Sequence, residues 1–218
     1  MSVDSLVGGR VRDVRAALTT MPRWRTWSQC LVVYAAFFVC ALPLGLATGI
    51  LRLSPSPFPP ATAFAIALTV LVHPAFVEET IFRALLVPRR IRDLGARRAA
   101  LIAGLALAVY VVSHPLNAIL FRPSALPVFT NPMYLLLAAL LGVACTVVYV
   151  LSGSIWPAVL LHWITAVVWI LWLGGQPLVA ARDAHFTGSC RCPSTRSSTH
   201  PALSIRTVVS TDRSRGIA

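Results

Sequence analysis

The stretch HPAFVEETIFRALL, residues 73–86, sets two adjacent glutamates and an arginine inside an otherwise apolar run. Glu78 and Glu79 are the only glutamates among 218 residues. On insertion scales an ionised side chain at the centre of a hydrophobic span costs about 2.5–3.5 kcal/mol, so Glu78, Glu79 and Arg83 facing lipid would together cost roughly 8–10 kcal/mol. They are therefore expected to face protein. Glu79 and Arg83 stand at i and i+4 with the acid on the N-terminal side, the favourable order for a helical ion pair. Glu78 is left over. It projects about 100° from Glu79 on a helix, which places the two carboxylates poorly for sharing one partner, and the residue four positions on is Phe82, which is no partner. A buried carboxylate without a counterion is a candidate general acid or base.

Two histidines in apolar surroundings extend the set: His114 in YVVSHPLNAIL and His162 in PAVLLHWITAVVW. A lone histidine on an apolar helix is more often a packed, hydrogen-bonded residue than a catalyst. Two of them beside a spare glutamate change the balance. Together they can activate a water and stabilise an oxyanion, or hold a zinc ion through Glu78, His114 and His162. Asn117 lies three residues past His114, on the same face or just past a kink at Pro115; its structural role would be an interhelical hydrogen bond. His73, followed by Pro74, reads as a bend or interface residue. Gly45 and Gly49 form a weak GxxxG signal, and Trp156, Trp163, Trp169 and Trp172 read as interfacial and packing residues.

The elements that must position these residues are membrane spans. The chain is 57% hydrophobic and 12% charged, against roughly 45–50% and about 25% in soluble domains. Apolar runs near 29–50, 62–88, 99–121, 132–151 and 155–174 predict an all-α, polytopic membrane protein with about five transmembrane helices. Turn-forming SPSPFPP, RPSALPVFTNP and SGS separate them. The net charge of +12 comes from arginine alone, since there is no lysine. The arginines cluster at the ends of the runs rather than among aromatics, which argues for a bilayer and against nucleic acid. Arg10, Arg12, Arg15, Arg23 and Arg25 precede the first run and Arg89, Arg90, Arg92, Arg97 and Arg98 follow the second, so the N-terminus and the 89–98 loop are expected in the cytoplasm. The organisation read from this is a basic segment over 1–28, a transmembrane domain over 29–177, and a Ser, Thr and Arg-rich tail over 178–218 expected to be disordered. The first run is expected to be retained rather than cleaved as a signal. Five cysteines, an odd number with three in apolar runs, imply no disulfide framework.

These residues resemble a known family. EETIFR is similar to the EExxxR motif of the CAAX protease and bacteriocin-processing family, the intramembrane glutamate proteases also called Abi proteins. The family's Phe-x-x-x-His motif is matched by Tyr110-Val-Val-Ser-His114, and its His-x-x-x-Asn motif by His162-Trp-Ile-Thr-Ala166. The resemblance spans roughly residues 60–175. It implies that Glu78 and His114 activate the hydrolytic water, that Glu79 and Arg83 orient the site, and that His162 donates to the oxyanion. It favours a mechanism without metal or other cofactor over the zinc alternative. It admits prenylated C-terminal peptides, bacteriocin leaders or membrane-protein segments as substrates, and an inner-membrane location. Tyr110 is a mild exchange for Phe. Ala166 has no donor, and the family asparagine's role falls to Asn117 or Thr165 or to nothing. The rival expectation is a non-catalytic membrane scaffold or transporter subunit with the same polar cluster; the oligomeric state is not encoded in any of these motifs. One geometric problem remains: at 1.5 Å per residue Glu78 lies about 16 Å from Arg89 and His162 about 12 Å from Ser154, but His114 about 24 Å from Arg98, two turns out of register.

Overall fold

The computed structural model describes residues 3–177, and the tail expected over 178–218 lies outside the described residues. Six principal helices are present: α1 (Val3–Thr19), α2 (Trp24–Ala47), α3 (Pro60–Leu85), α4 (Ala96–Phe121), α5 (Pro132–Ser152) and α6 (Trp156–Trp172). No β-strand occurs among the described residues; one isolated bridge joins Ser54 to Leu173. Helices α2 to α5 are each long and apolar enough to cross a bilayer, and α6, at 17 residues, would reach about 26 Å. A helix lies at each of the five expected runs, with ends displaced by a few residues, and four of the five are of membrane-spanning length. Their outward faces are apolar. On α4, Leu101, Leu105, Val109, Val112, Leu116 and Ile119 are exposed at helical spacing, an apolar stripe suited to lipid.

Local chemistry sets the helix ends. The Asn131 side chain accepts hydrogen bonds from the Met133 and Tyr134 amides, with Pro132 in the first turn of α5. The helix stops at Gly153, whose φ of +63° suits a residue without Cβ. In α3, Pro74 cannot donate to the helical ladder, and His73 beside it leaves helical geometry at φ −137°, ψ 115°. The bend expected at His73 is there. The kink breaks the helix within Leu71–Phe76, normal turns resume over Val77–Glu79, and the stretch Thr80–Leu85 is widened to π geometry. Such π turns collect at functional sites.

Of the five apolar clusters among the described residues, two join the most elements. In one, Tyr34, Phe37 and Ala41 of α2 pack on Leu141, Ala144 and Val148 of α5 and on Ala158 and Leu161 of α6, and the Tyr34 hydroxyl donates to the Pro157 carbonyl. In the other, Ala17 of α1 joins Val87, Ile91, Tyr149 and Ile155. The basic N-terminal segment therefore contains a docked helix, which arginine-dominated composition concealed. It is held by Arg89, whose Nε donates to the Gly153 carbonyl at 2.9 Å and whose Nη2 donates to Thr20 Oγ1 at 2.9 Å. Gly45 packs against Leu51 and Leu137, but Gly49 lies beyond the end of α2 at φ +71°. Gly45 of the pair thus sits in the seam between α2 and α5, and Gly49 marks the end of α2.

Candidate active site

The glutamates of α3 meet His162 of α6 in the interior. Glu79 is fully buried and Arg83 is 1% exposed; Arg83 Nε lies 3.1 Å from Glu79 Oε2. The contact is an ion pair off the line of a good hydrogen bond, since neither atom meets hydrogen-bond geometry. Arg83 finds its directional partners elsewhere: Nη2 donates to the Gly142 carbonyl at 3.0 Å, and the guanidinium lies over the Tyr110 ring, 4.5 Å from its centroid, a desolvated cation–π contact.

His162 Nδ1 lies 2.8 Å from Glu79 Oε1. A carboxylate accepts, so Nδ1 carries the proton. This leaves Nε2 turned to Glu78, 4.0 Å from its Oε2. The two adjacent glutamates thus flank one imidazole from a facing helix, with Glu79 hydrogen-bonded to it and Glu78 standing off at 4.0 Å. Glu78 Oε2 is buried and has no hydrogen-bond partner among the described residues, which makes Glu78 the spare carboxylate expected from its spacing.

His114 stands in an aromatic collar, its ring 4.9 Å from Tyr110, 5.7 Å from Phe129 and 5.6 Å from Tyr134. Its Nδ1 donates to the Tyr110 carbonyl at 2.9 Å. In the neutral ring Nε2 is then the lone-pair nitrogen. The two-turn register gap has a partial answer here. Tyr110, one turn before His114, is the α4 residue level with His162, at 6.4 Å between centroids, and His114 sits one turn further along the same wall.

A cavity of about 520 Å³ unites the set: Glu78, His114, Asn117 and His162 all line it, with Thr165 and Ala166. Glu79 and Arg83 stand behind its wall. Thr165 Oγ1 donates to the Leu161 carbonyl at 2.8 Å, which commits its proton and removes it as a donor in this arrangement. Asn117 is half-buried and makes no side-chain hydrogen bond among the described residues, so its amide remains available. Among the described residues no three His, Cys, Asp or Glu side chains are grouped to hold a metal ion. Tyr110, Tyr134 and Arg122 also line the cavity. Sequence reasoning did not single out Tyr134 or Arg122 because nothing in their spacing separates them from interfacial residues.

Helices of membrane-spanning length around a buried glutamate–histidine–arginine cluster define a polytopic membrane protein with the groups of a hydrolytic site. The model of the type II CAAX prenyl endopeptidase Rce1-like family matches residues 59–168, half of the chain, and the protein belongs to that family. The matched region contains all the clustered residues. No curated protein and no solved structure matches the chain. The family is one of proteases, in agreement with the resemblance read from EETIFR and the two histidine motifs.

Proposed function

We propose that this protein is an intramembrane endopeptidase that hydrolyses a peptide bond of a peptide or membrane-protein substrate with a water activated by Glu78. The observation that carries the reading is the unsatisfied, buried Glu78 Oε2 on the wall of the cavity that His162 and His114 share. Atoms 4.0 Å apart, as Glu78 Oε2 and His162 Nε2 are, can both reach one water at about 2.8 Å from each. Glu78 takes the water's proton, the hydroxide adds to the scissile carbonyl carbon, and the same proton passes to the leaving amine as the bond breaks. The lone-pair Nε2 of His114 accepts from the water or substrate. Glu79 fixes the His162 ring and balances positive charge on it, the role a buried carboxylate plays beside a catalytic imidazole. His162 donates to the oxyanion through an Nε2–H that it keeps throughout the cycle, so that the one proton transferred is the one Glu78 carries from water to amine. We place the protein in the inner membrane with its N-terminus cytoplasmic, supported by the arginine asymmetry.

One observation favours the non-catalytic reading. Ala166 stands on the cavity wall where the family motif has an asparagine, and Thr165 is engaged with the backbone. One oxyanion donor is worth about a hundred- to a thousandfold in rate. The decisive experiment measures cleavage of a library of quenched fluorescent peptides by the purified protein. Glu78→Gln abolishes turnover while melting as the wild type does, Asn117→Ala lowers it by about that factor if Asn117 donates, and Ala166→Asn raises it if nothing does. Full activity of Glu78→Gln overturns the assignment, and an inactive wild type that Ala166→Asn does not rescue leaves a scaffold built on the same cluster.

A further inference from the structure

The cavity occupies one half of the bundle, and each helix reports the same half. Its lining comes from residues 37–42 of α2, 110–122 along and just beyond α4, 134–141 of α5 and 162–173 along and just beyond α6, and it also takes in Ile50, Leu51 and Thr62 around the α2–α3 connection. All of these lie toward the ends of the helices remote from Arg23, Arg25, Arg89, Arg90, Arg92, Arg97 and Arg98. No lining residue comes from the stretches 79–109 or 142–161. The floor of the cavity is closed by buried Glu79, Phe82, Arg83 and Leu161, so among the described residues the site has no route toward the arginine-rich end.

Arginine-rich connections stay on the cytoplasmic side of a membrane. We infer that the candidate active site opens to the opposite, non-cytoplasmic face, and that its substrate is a segment of an exported chain displayed there. The inference rests on the peptidase reading for its substrate and on the arginine asymmetry for its direction. The depth fits a peptide. From His162 to the end of α6, and from Tyr110 to the end of α4, is about 15–17 Å at 1.5 Å per residue, which an extended chain covers in about five residues at roughly 3.3 Å each. The walls along that path include Phe37, Ile66 and Val70, with the Arg122 cation among the lining residues beyond the end of α4. The segment that fits is accordingly apolar and extended.

Two measurements on membranes test this. In the first, Cys40, Cys190 and Cys192 are replaced by serine and Thr62→Cys or Arg97→Cys is introduced singly. A membrane-impermeant maleimide labels Thr62→Cys in right-side-out vesicles and Arg97→Cys in inverted ones. In the second, a membrane-impermeant quenched fluorescent peptide, chosen as the best cleaved by the purified protein, is cut by right-side-out vesicles and at background rate by inverted ones. Labelling of Thr62→Cys in inverted vesicles only, or cleavage by inverted vesicles only, overturns the inference. Labelling as expected, with no peptide cut by the purified protein or by either vesicle preparation, upholds the opening and overturns the peptidase reading instead.

Discussion

At the scale of residues, the two glutamates do different work although they are neighbours. Glu79 touches Arg83 and His162 and is fully buried, whereas Glu78 has a lone oxygen at the cavity wall. Removing one member of a buried ion pair strands the other, at a cost of about 3–5 kcal/mol. Glu79→Ala is therefore expected to lower the melting temperature strongly in detergent, while Glu78→Gln leaves it near the wild-type value; equal melting of the two variants would contradict the division of roles. The spare carboxylate and the Glu79–Arg83 pair were legible in the sequence because both follow from i, i+4 spacing on one helix. The bridging by His162 was not. It depends on the rotation and depth of α6 against α3, and no spacing along the chain encodes those.

At the scale of elements, the kink and the widened turn of α3 and the small residues of α5 bring the cluster together. Gly142 illustrates the fit: a Cβ there would come within 2.6 Å of Leu107 and 2.9 Å of Tyr110, and its carbonyl accepts from Arg83. Gly142→Ala is expected to push Tyr110 off the guanidinium and cost about 1–3 kcal/mol by overpacking, in spite of alanine's better helix propensity. Gly104→Ala on α4 meets nothing within 4 Å and should gain up to about 1 kcal/mol from propensity. Melting curves of the two variants, moving in opposite directions, check the pair. The spans themselves were readable from length and apolarity alone. Helix α1 was not, since its contacts through Ala17, Val14 and Leu18 are few beside its arginines. The kink and the widened turn of α3 were signalled only by Pro74, which announces a disturbance without saying where the ladder recovers.

At the scale of the whole molecule, one end is latched and the other carries the cavity. Arg89 joins the end of α1, the α3–α4 loop and the α5–α6 turn through Thr20 and Gly153. Hydrogen bonds from a charged donor are worth about 1.5–3 kcal/mol each, so loss of both in Arg89→Ala should destabilise by about 3–6 kcal/mol and expose the connection after Thr19 to limited proteolysis, with cleavage there no faster than in the wild type counting against the latch. The buried cluster of α3 has a consequence for how the protein is made. Arg83 reaches Gly142, 59 residues downstream, and Glu79 reaches His162, 83 residues downstream. At roughly 5–20 residues per second a ribosome takes about 4–17 s to deliver that histidine. During this interval α3 must enter the bilayer without its later partners, and the only neutralising contact available to Arg83 is the carboxylate one turn behind it. The Glu79–Arg83 pair is thus a provision for membrane insertion before it is part of a site, and Glu78, with no such local companion, waits for α6 to be synthesised.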